Sequence, residues 1–230
     1  ERQVLAADLM LRSAAPLPAV FQAEARKIGL ATAETLAFPT VVLVGEETAL
    51  AAVDAVGDGY PLRGQLTIAD TLFGDGRPAT AIPARGEAWA EPGLLGRLDI
   101  DVGATLTIGN LTLRVTQVLQ YKPDQNIGFV NLAPGVMVNL ADVPAMSVVK
   151  PGSRVTWHQM YAGSDAQIAE FRTRVEPRLR PDTSIRGRED AGEQINAAID
   201  RAQRFLTLAS LVTVILAAVA AAMAARRYAL

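Results

Sequence analysis

Few side chains in this sequence can take a proton, attack a carbonyl or ligate a metal. A single histidine is present, His158, inside the stretch VTWHQMY and beside Trp157. A Ser-His-Asp or Cys-His device has to be built on it, yet the chain contains no G-x-S-x-G elbow and no cysteine. A lone histidine in an alternating strand reads as a structural or surface residue, and with no second histidine or cysteine a zinc ion lacks ligands. Three carboxylate pairs lie close together in the sequence: Glu46 with Glu47, Asp99 with Asp101, and Glu189 with Asp190. On an extended segment Asp99 and Asp101 share a face, as an acid/base pair would, but the segment precedes a turn, where acidic residues serve as caps, and the solvated reading is preferred. No G-x-x-x-x-G-K-[ST] and no G-x-G-x-x-G follows a strand, so no catalytic residue, cofactor or metal is expected here, and energy from ATP has to come from a partner chain. Phe38, Trp89, Phe129 and Met137 suit either a lipid-contacting groove or a core, and aromatics in these numbers favour a core.

The elements that carry these residues belong to a chain of 230 residues, long enough for one or two domains with a real core. The absence of cysteine removes a disulfide framework and leaves the compartment open. With 22 basic and 24 acidic residues the balance is nearly even. Nucleic acid, which needs clustered Lys and Arg, is set aside as a partner. The opening ERQVLAADLMLR is charged at once and has no long apolar run, which reads as the interior of a longer precursor.

The other end is different. Phe205 to Ala225 carries no charge, and a helix of that length reaches roughly 30 Å, the thickness of a bilayer's hydrocarbon core. The reading is a transmembrane helix, with a fully buried core helix as the alternative. Arg226 and Arg227 follow directly and are expected as anchors on the cytoplasmic side, which puts the bulk of the chain outside the cytoplasm. Before the span, Ile195, Ile199, Ala202, Leu206 and Ala209 recur at steps of four and three, the spacing of a coiled-coil seam. One continuous helix from near Gly192 is expected to leave the membrane as an amphipathic stalk pressing this seam on a partner helix. An ordinary helix packed on its own domain stays open beside it. No glycine or proline interrupts Glu193 to Ala225, so such a helix transmits displacement without a hinge.

Along the rest of the chain, DLMLRS (8–13) alternates as a strand, and PLPAVFQAEARKIG (16–29) has the proline start and glycine stop of a helix. Residues 31–57 hold two apolar runs broken by GEET, a hairpin. From Asp58 to Pro92 glycine, proline and charge predict turns with short strands. A short helix is predicted around Ala88–Leu95, then strands Thr105–Ile108 and Leu111–Leu119 joined at GN. A strand at 154–163, a helix at 164–179 capped by Ser164 or Asp165, and a strand at 183–190 complete the pattern. This order implies an α+β fold in which β-α-β units are interrupted by a small β-rich subdomain.

The segment GEAWAEPGLLGRLDIDVGATLTIGNLTLRVTQVL resembles the part of MacB-type periplasmic core domains where a helix and short loop lead into VG-x-T-[LI] and a strand pair. The order from RQVLAADLMLRS through DGYPLRG to INAAIDRAQRFLTLASLVTVILAAVAAAMAARR resembles an FtsX-like ABC transporter permease of the YbbP-like branch, over nearly all of the chain. The resemblance implies a MacB-like periplasmic core domain. Residues 1–57 and 150–191 would form a porter-like mixed subdomain, 58–149 a β-rich insertion, 192–204 the stalk, 205–225 the second membrane helix of the permease, and 226–230 a cytoplasmic end. It implies a bacterial inner-membrane protein with its main domain in the periplasm. The partners implied are a dimer of ATP-binding cassette ATPase subunits, the remaining transmembrane helices of the same permease, membrane lipid, and a periplasmic esterase or lysophospholipase. The implied function is mechanotransmission: ATP hydrolysis in the cytoplasm shifts the stalk helices and drives the handling or export of hydrophobic, lipid-like molecules. An extracytoplasmic adaptor or scaffold with a membrane anchor, and a C-terminally anchored hydrolase, are the competing readings.

Overall fold

The computed structural model describes residues 6–124, 133–150 and 152–187, together with Gln203, Thr207 and Ser210. Contacts divide the chain into two units, residues 1–188 and 189–230.

In the first unit the strands are β1 (Leu9–Ser13), β2 (Ala31–Val44), β3 (Glu47–Val56), β4 (Thr67–Ala69), β5 (Arg77–Pro78), β6 (Glu87–Ala90), β7 (Thr105–Ile108), β8 (Leu111–Tyr121), β9 (Gly135–Asn139), β10 (Thr156–Ala162) and β11 (Ser184–Gly187). The helices are α1 (Ala19–Ile28), α2 (Pro92–Leu98), α3 (Val143–Met146) and α4 (Asp165–Val175). All strands join one sheet, running β11-β1-β10-β2-β3-β9-β6-β8-β4-β5, with β7 bridging β2 and β8. Among the described residues, only β3–β9 and β6–β8 pair in parallel.

The length of β2 decides the architecture. Its first half pairs with β10, from Ala31↔Ala162 to Ala37↔Thr156, while its far end pairs with β7 at Val42↔Ile108 and Leu43↔Thr107. Because β7 also pairs with β8, the strands β2-β3-β9-β6-β8-β7 close into a ring, which removes the free edges they would otherwise present. The ring interior is filled by Phe38, Val42, Val53, Leu106, Leu113 and Val136, all buried. Leu94, Leu95 and Leu98 of α2 and Met146 of α3 add to that core.

Beyond the ring, the strands β11-β1-β10 extend the sheet, and α1 and α4 cover one face through Leu9, Leu11, Phe21, Tyr161, Phe171 and Val175. The Tyr161 and Phe171 rings pack with centroids 4.4 Å apart. Gly29, at φ 86°, ends α1 in the left-handed conformation that glycine adopts without a Cβ penalty. Ser164 and Gln167 form a reciprocal capping box at the start of α4. A third apolar cluster lies outside the ring: the segment after β3 packs Tyr60 and Leu66 over Met10, Val56, Trp89, Met137 and Met160.

One predicted element is overturned. The helix expected around Ala88–Leu95 is a strand over Glu87–Ala90 and a helix only from Pro92. β6 lies between β8 and β9, so Ala88, Trp89 and Ala90 are all buried and the run shows no strand alternation. Pro92 sets the helix start, its fixed φ and missing N–H costing nothing in a first turn. The strand β9 and the short turns at 140–146 were not foreseen, β9 for the same reason: Gly135 to Val138 are buried without alternation.

In the second unit, Gln203, Thr207 and Ser210 are helical, and the Thr207 hydroxyl donates to the Gln203 carbonyl at 2.8 Å. The seam residues Ile195, Ile199, Ala202, Leu206 and Ala209, the apolar span 205–225 apart from Thr207 and Ser210, and Arg226 and Arg227 lie outside the described residues. Among the described residues, no helix is long and apolar enough to cross a membrane.

Candidate functional site

The outer face of the ring carries a polar seam that sequence reasoning missed. Asp54 stands in the apolar run AAVDAV of β3, between Ala37 of β2 and Met137 of β9. A charge at this position is costly without a partner. Lys122, just past β8 and buried, donates from Nζ to Asp54 Oδ2. Asp124 follows two residues later and accepts a 2.6 Å hydrogen bond from the Tyr60 hydroxyl. Four groups from three segments therefore converge on the rim of the outer cluster and pin the turn after β3 to the end of β8.

Electrostatics follow the burial. Burial raises the Asp54 carboxyl, with Lys122 opposing. Burial works against the Lys122 ammonium, but Asp54, Asp124 and Glu91 outweigh it, so its pKa stands above that of an ordinary lysine. Tyr60 is pushed well above its usual value by burial and by the charge of Asp124. The seam thus holds a fixed positive charge between carboxylates and a hydroxyl that stays protonated, an arrangement suited to locking segments together.

His158 lies on the same sheet face, in β10. Its Nδ1 is 3.2 Å from Thr35 Oγ1, and its pKa is lowered to about 4, first by burial and then by Arg12. It is a neutral imidazole held in the sheet, in keeping with the structural reading of its sequence context. Asp99 ends α2 in the left-handed conformation, a capping position, and Glu46 and Glu47 are exposed where β2 turns into β3. Glu189 and Asp190 lie outside the described residues. Phe38, Trp89 and Met137 are core residues, and Phe129 is outside the described residues. The Trp89 indole N–H has no hydrogen-bond partner among the described residues. No group of three His, Cys, Asp or Glu that could hold a metal occurs among the described residues.

A second tie fixes the same turn region from the other side. Arg63 donates from Nε and Nη2 to both oxygens of buried Asp8, the closest contact being 2.7 Å, and the Gly163 amide donates to Asp8 Oδ2 at 3.0 Å. The segment from Gly57 to Gly64 is therefore fastened to β1, β8 and the start of α4.

This geometry defines a mixed sheet with a closed β ring, and that fold is shared with a periplasmic region of known structure. The periplasmic region of MacB from Actinobacillus actinomycetemcomitans superposes with a TM-score of 0.51, covering 84% of this chain and 94% of that one at 11% identity. The expected α+β, MacB-like periplasmic core is what the described residues form. At the level of sequence, the chain is 34% identical over 227 residues, 99% of its length, to the ABC transporter permease YbbP of Escherichia coli (strain K12). The resemblance read from the residues is borne out at the level of sequence for the YbbP-like branch, over 99% of the chain, and at the level of fold for the MacB-type domain, over 84% of it. The chain spans 27% of that relative's length. No family model matches.

Proposed function

We propose that this chain is the extracytoplasmic domain and adjoining membrane segment of an ABC transporter permease in the bacterial inner membrane. The observation that carries the reading is the 34% identity to YbbP across 99% of the chain. The MacB-like fold of the first unit supports a domain that stands in the periplasm. The uncharged run from Phe205 to Ala225, with Arg226 and Arg227 after it, supports anchoring in the membrane.

In this reading the chain does not hydrolyse ATP. A dimer of ATP-binding cassette subunits does so in the cytoplasm, and the remaining transmembrane helices of the same permease surround the span. Residues 192–204 act as the stalk, with the seam Ile195, Ile199, Ala202, Leu206 and Ala209 against a partner helix. Each helical turn is hydrogen-bonded to the next, so a displacement at the membrane reaches the folded head. Residues 1–57 and 150–191 form the porter-like part and 58–149 the β-rich part of that head. The ties of Asp8 to Arg63 and of Asp54 to Lys122 fasten segments of that head together and so support its moving as a body. The cargo is hydrophobic or lipid-like, handled together with membrane lipid and a periplasmic esterase or lysophospholipase.

The test is photo-crosslinking in the complete complex during ATP turnover, with lipids and proteins identified afterwards. The expected result is ATP-dependent capture of lipid-like molecules, lost in Ala202→Pro while ATP hydrolysis persists, because proline breaks the helix. Undiminished ATP-dependent capture in that variant would contradict the stalk reading.

A further inference from the structure

Between α1 and the turn after β3 lies a cleft of about 350 Å³ whose walls carry opposite charges on facing elements. Gln22 and Arg26 come from α1, one helical turn apart and on one face. Thr32 and Glu34 come from β2, and Asp58 from the turn. An arginine and a carboxylate sharing a cleft ordinarily pair with each other, since a bidentate contact is the strongest either can make. Here they do not. Arg26 Nε donates to Thr32 Oγ1 at 3.3 Å, and Glu34 Oε2 accepts from Gln22 Nε2 at 3.3 Å. Among the described residues, Arg26, Glu34 and Asp58 enter no ion pair. Neutral neighbours, Thr32 and Gln22, take the Arg26 guanidinium and the Glu34 carboxylate respectively, and Asp58 lines the same cleft.

The floor of the cleft is built rigidly. The Gly57 amide donates to the Glu34 carbonyl at 2.9 Å, and a Cβ at Gly57 would stand 3.0 Å from that oxygen and 3.3 Å from Leu140. Asn139, at the far wall, has both ends of its amide committed, donating to the Pro83 carbonyl and accepting from the Ala141 amide. The charged side chains are therefore the parts of the wall left with capacity to bind.

We propose that this cleft binds a small zwitterionic group, its anion on the Arg26 guanidinium and its ammonium between Glu34 and Asp58. The volume admits a small ligand, and opposite charges on facing walls discriminate against ligands carrying one charge alone. Burial already raises the Glu34 carboxyl, with Gln22 opposing, and an ammonium at that oxygen would favour its ionised form. Two sources share this chemistry: an amino acid or short peptide, and a phosphoethanolamine headgroup. The inference rests on the cleft alone and stands whether or not the chain serves a permease.

Calorimetric titration of the 230-residue chain in a maltoside detergent tests it, with dialanine and glycerophosphoethanolamine as the two zwitterionic probes. Ethanolamine and dimethyl phosphate are the single-charge controls. At least one zwitterion is expected to bind saturably and about tenfold more tightly than either control, as one charge-assisted contact is lost in each. Arg26→Gln and Glu34→Gln are each expected to weaken it by about tenfold. The probe that binds identifies the source, and binding of both means the cleft reads the shared charges. Binding of neither zwitterion above the controls overturns the proposal, as does unchanged binding in both variants. The Gln22 side-chain amide resonance gives a readout independent of any variant: it is expected to shift on addition of the binding zwitterion, and an unmoved signal contradicts the site.

Discussion

The Tyr60 hydroxyl donates to Asp124 Oδ1 across 2.6 Å, joining residues 64 positions apart and closing the turn after β3 onto the end of β8. Beside it, Lys122 is committed to Asp54, so one short stretch of chain is held at two points by two kinds of bond. The cost of removing each differs, and that difference is measurable. Both tryptophans, Trp89 and Trp157, lie in the first unit, so their fluorescence reports its unfolding.

Lys122→Met is expected to be the more damaging change. It leaves Asp54 in the sheet without its counter-charge, a loss of about 3–5 kcal/mol for a buried pair broken on one side. Asp54→Leu combined with Lys122→Met is expected to recover most of it, because neither charge then remains. Urea unfolding followed by tryptophan fluorescence checks both. A single variant as stable as the unaltered chain would mean that the pair is solvated.

Tyr60→Phe keeps the ring in its cluster with Leu66, Trp89 and Met137 and removes only the hydroxyl. The expected loss is about 1–2 kcal/mol, the cost of one hydrogen bond to a charged acceptor. Thermal unfolding at neutral pH measures it, and a stability unchanged from that of the unaltered chain would contradict the bond.

His158 gives the pH dependence its sign. The imidazole has a folded pKa of about 4 against 6.5 unfolded, so folding favours the neutral ring. That stability is complete above the unfolded value and is lost as pH falls through the folded one. Unfolding free energy is therefore expected to fall by at most about 3 kcal/mol between pH 6.5 and 4 on this account. Arg12, Lys122 and Arg186 act in the same direction as burial, and Asp54 against it. Asp54 and Glu34, whose pKa values are raised, contribute the opposite slope in acid, so the difference between the unaltered chain and His158→Gln isolates the imidazole. Parallel pH profiles in the two proteins would contradict the burial of this ring.

Gly109→Ala tests the closure of the ring. Gly109 has φ 57° in the turn between β7 and β8, and a Cβ there would come within 2.0 Å of the Met146 carbonyl oxygen. The expected cost exceeds about 2 kcal/mol, from left-handed strain and the forced retreat of α3. Denaturant midpoints that match the unaltered chain would count against this packing.

Much of the framework was legible in sequence because its signals are local. The turn at Gly109–Asn110, the Gly29 stop of α1 and the Ser164 cap each follow from one or two residues. β6 and β9 were not, since strands buried on both faces lose the alternation that marks a strand, and GEAWA reads as helix until Pro92 is seen to begin one. The polar seam was hidden for a related reason. Asp54 and Lys122 are 68 positions apart, and only ring closure brings them together. The one available signal was Asp54 itself, a charge in the middle of the apolar run AAVDAV. The zwitterion cleft draws on α1, β2 and the turn after β3, which no spacing rule connects.

The absence of cysteine in this chain opens a direct measurement of where the folded unit stands. Asp182 is exposed in the loop before β11. With Asp182→Cys in the full permease, a membrane-impermeant maleimide admitted only to the periplasm is expected to label the chain in cells with an intact inner membrane. Labelling that appears only after the inner membrane is broken would put the domain in the cytoplasm and contradict an extracytoplasmic head driven by a motor on the other side.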